Sequence, residues 1–278
     1  MRELALHSKR VIIGQQMLEA TVFVSNGKIT NVVNGFPENY NGSVTDVGDK
    51  IIMPGIIDPH VHINEPGRTE WEGFDTATKA AIAGGVTTLI DMPLNSYPVT
   101  TNAKAFDEKV MASKNKLHTN CGFWGGIIPG NADEVEPLIA RGVFGFKAFL
   151  THSGIDEFPN VTEDDLRLVM PIIAKHNLPL LLHCELCTFQ PEKNLNDNRS
   201  YKNYLSSRPK KWEDDAIALM IKLCKEYNCR VHIVHLSSAN SIEPIAHAKQ
   251  KGLPLTVETG QHYLFFNAEE IADGATQY

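Results

Sequence analysis

The stretch IIMPGIIDPHVH, residues 51–62, marks a change in the texture of the chain. Upstream the pattern is β. Ala20–Val24 and Lys28–Val33 are runs rich in β-branched residues flanking Asn26-Gly27, the dipeptide best suited to a two-residue hairpin turn. A polar, turn-rich segment follows at Glu38 to Ser43. From Ile51 onward, short apolar runs alternate with longer amphipathic segments. The strand candidates are 51–62, 86–92, 121–128, 143–150, 178–184, 230–237 and 254–259. Thr76 to Ala83 has a helical pattern closing on Gly84-Gly85, a helix-stop signal. Asp214 to Tyr227 is another helix, with Ile217, Leu219, Met220, Ile221 and Leu223 along a buried stripe. Near-continuous apolar strands alternating with helices predict a parallel sheet covered by helices.

Seven such strands, several ending in polar residues, fit an α/β protein with a (β/α)8 TIM-type barrel over residues 51–278 better than an open sheet. One more βα unit is expected after Gly274–Tyr278, so the barrel is predicted to be incomplete, with an unpaired edge and an exposed core, which is costly. Residues 1–50 form a separate β region.

Composition is that of a globular protein, 42% apolar and 21% charged, which argues against disorder. Acidic residues outnumber basic ones by 33 to 26, a net charge of −7, and this disfavours nucleic acid as a partner. Apolar stretches such as Leu178 to Leu182 are too short to span a membrane. The N-terminus lacks the apolar run of a secretory signal. Five irregularly spaced cysteines suit a reducing compartment, and a cytoplasmic place is expected.

His60 and His62 lie two apart at a strand end, so both face one side of the sheet at the rim where barrels place chemistry. Two imidazoles at that spacing suit one metal ion, or else are two satisfied polar residues. His183 ends the fifth strand candidate and His235 lies near the end of the sixth; each alone is more often structural. His232, an odd number of residues before His235, is expected to face the helix layer. Lys147 interrupts an apolar strand, and burying an ammonium is expensive unless it is paired or modified. Its N-carboxylated form is a carboxylate able to bridge two cations. Four histidines and this lysine, all on strands near one rim, point to a binuclear site, for which zinc is the best match to imidazole and carboxylate ligands.

Gly55 to His62 resembles the first-strand signature of the cyclic amidohydrolases, and Ile63 to Phe74 resembles the allantoinases among them. Asn64 stands where dihydroorotases usually have Arg, and Phe149–Gly154 lacks the Tyr that dihydropyrimidinases and hydantoinases usually carry after the strand-four lysine. Ser207 to Glu213, Val234 to Ser238 and Val257 to Thr259 agree with the resemblance, which runs essentially from end to end. It implies His60 and His62 on one metal, His183 and His235 on the other, and two divalent ions, zinc by preference, bridged by carboxylated Lys147. It also implies a small β-sandwich, part of which residues 1–50 supply, and Asn95 and Ser153 as substrate contacts. The implied reaction is hydrolysis of allantoin to allantoate in purine breakdown, in a homotetramer. The proton-shuttle Asp of the family is expected beyond residue 278, so no catalytic residue is assigned here. Gly260-Gln261-His262-Tyr263 departs from the usual Cys-Pro-His-Tyr, altering the strand-seven rim. Rival expectations are a hydantoinase-like or dihydropyrimidinase-like cyclic amidase and a non-catalytic assembly protein on the same fold.

Other signals have bland readings. Cys184-x-x-Cys187 matches a redox pattern by accident more often than by function. Gln190 to Lys211 is expected to be a solvated loop and helix start. Asp58 is as suited to a structural role as to orienting a ligand, and Glu65 and Arg68 suit loop ion pairs.

Overall fold

A computed structural model describes residues 3–37, 39–189 and 199–274. Glu38, the 190–198 part of the lysine-rich segment and residues 275–278 lie outside the described residues. The chain divides into two compact units, Met1–Ile56 and Ile57–Tyr278.

The first unit is one mixed sheet. Strands β1 (Glu3–Ile13), β2 (Gln16–Ser25) and β3 (Lys28–Asn34) are antiparallel neighbours, while β4 (Val44–Asp46) and β5 (Ile51–Ile52) pair in parallel with β1. The β2–β3 turn is Asn26-Gly27, both at positive φ (52° and 74°), the twist a two-residue hairpin needs. Val11, Ala20 and Val22 bury its small core.

The second unit alternates strands and helices as the texture predicts. In chain order come β6 (Ile56–Val61), α1 (Phe74–Ala83), β7 (Val86–Asp91), α2 (Ala103–Ser113), β8 (Asn120–Phe123), β9 (Gly125–Gly126), α3 (Val135–Ala140), β10 (Phe146–Phe149), α4 (Glu163–Lys175), β11 (Pro179–His183), α5 (Tyr201–Ser206), α6 (Lys210–Tyr227), β12 (Arg230–Ile233), α7 (Ile242–Gln250) and β13 (Leu255–Val257). The strand order is β6-β7-β8 in one sheet and β9-β10-β11-β12-β13 in another. Trp124 alone separates β8 from β9, so the predicted 121–128 strand is one strand path broken once. Pro54-Gly55 likewise splits the predicted 51–62 strand into β5 and β6. Among the described residues the architecture is that of a (β/α)8 barrel, of which seven strand paths are present.

Register sorts the side chains into two layers. Phe146, Leu180 and Val231 align across β10, β11 and β12, as do Ala148, Leu182 and Ile233, and all six pack in the cluster beneath the helices. The alternate row, Lys147, Leu181, His232 and Thr256, therefore faces the barrel interior. Helices seal the outer layer. On α6, Trp212, Ala216, Ile217, Met220, Leu223 and Cys224 are buried at helical spacing, and Asn228 in the left-handed region ends the helix. A capping box, with Thr162 and Asp165 each accepting from the other's backbone N–H, starts α4. No helix among the described residues is long and apolar enough to cross a membrane.

Candidate metal centre

The parallel strands deliver their C-terminal ends to one rim, and four imidazoles meet there. His60 is on β6, and His62 follows it on the same face. Their rings are 5.6 Å apart, and His60 and His235 rings are 5.5 Å apart. His183, closing β11, has Nδ1 3.1 Å from Nε2 of His235, with ring centroids 4.7 Å apart. Phe149 of β10 stacks on His183 at 4.9 Å.

The parity expectation for His232 is overturned. In register with Leu181 and Thr256, it faces the interior, where Nε2 lies 3.2 Å from Glu258 and Nδ1 2.8 Å from Thr256 Oγ1. His235 reaches the same interior despite its odd spacing because β12 ends at Ile233 and His235 itself adopts φ 38°. That bend resets the alternation. The segment beyond it is held by Glu213, whose carboxylate accepts from the N–H groups of Ser237 (2.8 Å) and Ser238 (2.7 Å).

Lys147 is buried in β10, and its Nζ has no hydrogen-bond partner among the described residues. It sits 4.5 Å over the Phe149 ring. Burial pushes its pKa down to about 7, so a large fraction is the nucleophilic neutral amine near neutrality. Burial also pushes His62 down to about 4 and His235 to about 3, and lowers His183. All three are neutral at pH 7, with a lone pair to offer.

Three of the four imidazoles have an oxygen behind one ring nitrogen. His60 Nδ1 meets Glu258 Oε1, His62 Nδ1 meets Leu94 O at 3.0 Å, and His183 Nε2 meets Glu185 Oε2 at 3.4 Å. Glu185 is itself gripped by the Arg208 guanidinium at 2.6 and 3.1 Å. An acceptor behind one nitrogen leaves the other to a cation, the arrangement usual for metal-ligating histidine. Among the described residues no three or more His, Cys, Asp or Glu side chains form a ready-made metal cluster. The fit rests instead on the paired nitrogens of His183 and His235, these outer acceptors and the partnerless Lys147 amine, a donor set that suits divalent cations once the amine is carboxylated. A cavity of about 360 Å³ opens beside His183 and His235, lined also by Glu185, Tyr204, Arg208 and Tyr263.

The pattern of the amidohydrolase family matches residues 51–268. The chain belongs to the amidohydrolase family. It is 46% identical over 274 residues to the mitochondrial allantoinase of Aquarana catesbeiana, covering 98% of this chain and 57% of that protein. It is also 46% identical over 277 residues to the allantoinase of Streptomyces avermitilis, covering 99% of this chain and 62% of the relative. The chain thus spans about three fifths of these relatives' length. Among solved structures, the L-hydantoinase (dihydropyrimidinase) from Arthrobacter aurescens superposes with a TM-score of 0.88 at 27% identity, over 97% of this chain and 60% of that one.

The amidohydrolase rim is braced by groups that the sequence reading misses. Asp91, at the end of β7, accepts from the Ile63 N–H at 2.6 Å and from Lys109 Nζ of α2 at 2.6 Å. Both members of this ion pair are fully buried. Burial pushes the Asp91 carboxyl up to about 6 against the pull of Lys109. Lys109 also donates to Met92 O at 3.0 Å, and Met92 N donates to Val61 O at 2.7 Å. The end of β7 therefore clamps the backbone on both sides of His62. The only signal for this pair is a charged residue closing one apolar strand and another amid the polar residues of α2.

Glu65 and Arg68 are loop ion-pair residues. Glu65 pairs with Lys116 and accepts from Phe74 N at 2.9 Å, while Arg68 pairs with Glu157 at 2.9 Å and donates to Asn95 O at 2.7 Å. Asn95 lies in the loop after β7. Ser153 lies in the loop after β10, where its hydroxyl is engaged with the carbonyls of Phe158 (2.6 Å) and Ile155 (3.1 Å). Asp58 accepts from the His60 N–H at 3.0 Å. Cys184 and Cys187 are free thiols, and burial raises that of Cys184, the reverse of what redox activation needs.

Proposed function

We propose that this chain serves hydrolysis of the cyclic amide bond of allantoin to allantoate, in purine breakdown. The observation that carries it is the meeting of four imidazoles, three backed by oxygen acceptors, around a buried lysine amine without a hydrogen-bond partner among the described residues. Identity of 46% to two allantoinases over nearly the whole chain, against 27% to the hydantoinase structure, favours allantoin over other cyclic amides.

His60 and His62 would hold one divalent cation, His183 and His235 a second, with N-carboxylated Lys147 bridging; zinc is the ion proposed. Such ions, when bound, polarise a carbonyl and lower the pKa of water toward neutrality. The imidazoles of His62, His183 and His235, neutral at pH 7, supply lone pairs, and Glu258, Leu94 O and Glu185 hold the rings of His60, His62 and His183 in place. Lys147 offers its amine to carbon dioxide because burial disfavours its charged form. The cavity beside His183 and His235 is proposed to receive the ring; Asn95 and Ser153, proposed as substrate contacts, are not among the residues that line it. Since Ser153 Oγ is engaged with loop carbonyls, its main chain is the part left to meet a ligand. In the net reaction water adds across the ring C–N bond, giving a carboxylate and a free ureido nitrogen. No side chain here is assigned the proton transfer. A homotetramer and a cytoplasmic place belong to the same proposal, and light scattering with cell fractionation tests them.

The test is metal content and turnover of allantoin, hydantoin and dihydrouracil by the intact protein. About two metals per chain and turnover of allantoin alone is the expected result. Metal with turnover of hydantoin instead replaces the substrate assignment, and absence of metal refutes the centre itself.

A further inference from the structure

Strands β6 and β13 end the two sheets among the described residues, yet their C-terminal ends meet through one side chain. Glu258, the residue after β13, is held at four points. Its N–H donates to Ile233 O at 3.0 Å, and its C=O accepts from Leu236 N at 2.8 Å. Its carboxylate takes His60 Nδ1 on Oε1 and His232 Nε2, at 3.2 Å, on Oε2. The chain of donors is self-consistent. One assignment satisfies every contact: an ionised carboxylate only accepts, so His60 Nδ1–H and His232 Nε2–H are assigned as its donors, which leaves His232 Nδ1 to accept from the Thr256 O–H.

From this geometry we propose that Glu258 is a positioning residue. It fixes His60 as the Nδ1–H tautomer, its ring turned so that Nε2 carries the lone pair, and His232 holds the carboxylate in that task. The tautomer of an imidazole is set by the hydrogen bond its other nitrogen makes. A carboxylate behind a ligating histidine also raises its basicity, and losing such a partner commonly weakens metal binding about 10- to 100-fold. Glu258 does more than hold one ring. Its carbonyl receives the N–H of Leu236, next to His235, so one residue ties the β6 end to the bend that presents His235. The value of this for metal binding rests on the metal reading above; the tautomer does not.

The experiment uses the intact protein with 15N-labelled histidine, metal-free, and reads the tautomers of His60 and His232 by NMR, followed by competitive zinc titration. Wild type is expected to show His60 as Nδ1–H and His232 as Nε2–H. Glu258→Leu should lose the His60 preference and weaken zinc about 100-fold. Glu258→Gln keeps an acceptor for His60 but presents an amide N–H₂ to His232. His60 should stay Nδ1–H, His232 should switch to Nδ1–H, and zinc should weaken only about 10-fold. That switch is a readout that a merely structural role would not move, and it survives if the leucine variant does not fold. His60 found as Nε2–H in wild type, or unchanged tautomers in both variants, overturns the proposal. A wild type that binds no zinc while His60 remains Nδ1–H overturns the metal reading and leaves the positioning by Glu258 supported.

Discussion

Lys109→Met should separate the buried ion pair from ordinary packing. Methionine replaces most of the stem volume of Lys109 and removes the charge that faces Asp91 at 2.6 Å. Asp91 is then a buried carboxylate without a cation, and it escapes by binding a proton on folding. Unfolded, the same group ionises at its ordinary 3.8; in the wild-type fold it does so at about 6. Because the folded pKa is raised, the wild type loses stability as pH climbs from about 4 to about 6 and gains no further penalty above that. In the variant the folded carboxyl stays protonated well past 6, so its stability goes on falling by about 1.4 kcal/mol per pH unit. By pH 8 the two proteins differ by about 3 kcal/mol from this source. The lost Lys109 bond to Met92 O adds about 1 kcal/mol at every pH. The total at pH 8, about 4 kcal/mol, matches what breaking one side of a buried pair usually costs. Urea unfolding of both proteins at pH 5, 7 and 8 measures it. Asp91→Asn with Lys109→Met removes the titration and should recover most of the loss at pH 8. A difference between Lys109→Met and wild type that is equally large at pH 5 and pH 8 would refute the reasoning, since packing loss carries no such dependence.

Lys147→Met should leave the fold intact while cutting bound metal below two per chain, and bicarbonate should raise metal loading of the wild type; mass spectrometry and elemental analysis read both. Gly145→Ala would place a methyl 2.4 Å from Pro179 O, prying β10 from β11 beside Lys147, and should cost about 3 kcal/mol together with metal affinity. Trp124→Phe removes the N–H that Pro59 O accepts at 2.8 Å, and denaturant unfolding should show a loss of about 1–3 kcal/mol from the stranded carbonyl. Thr162→Ala breaks the capping box of α4 and should cost about 1 kcal/mol, read by denaturant unfolding.

Much of the fold is legible before any coordinates. The strands lie where apolar β-branched runs lie, because a parallel strand buried on both faces must be apolar almost throughout. Asn26-Gly27 announces its hairpin because few other dipeptides tolerate positive φ twice. His60, His62 and Lys147 stand out because polar groups at strand ends or inside an apolar strand need an explanation. Strand breaks are less legible. The predicted 121–128 strand is interrupted at Trp124, whose indole N–H reaches back to Pro59 O, a contact that propensity cannot reveal.

The sequence by itself determines the order of β and α elements and the residue types that converge on the rim, since both follow from local periodicity and from the cost of burying polar groups. Tertiary structure alone decides which way His232 faces and how His235 joins the cluster. Parity along a strand holds only while the strand lasts, and β12 stops at Ile233 before the bend at His235. It alone also pairs Asp91 with Lys109 and His60 with Glu258, 198 residues away along the chain. Such pairings depend on which strand ends the fold brings together, and no local pattern records that distance.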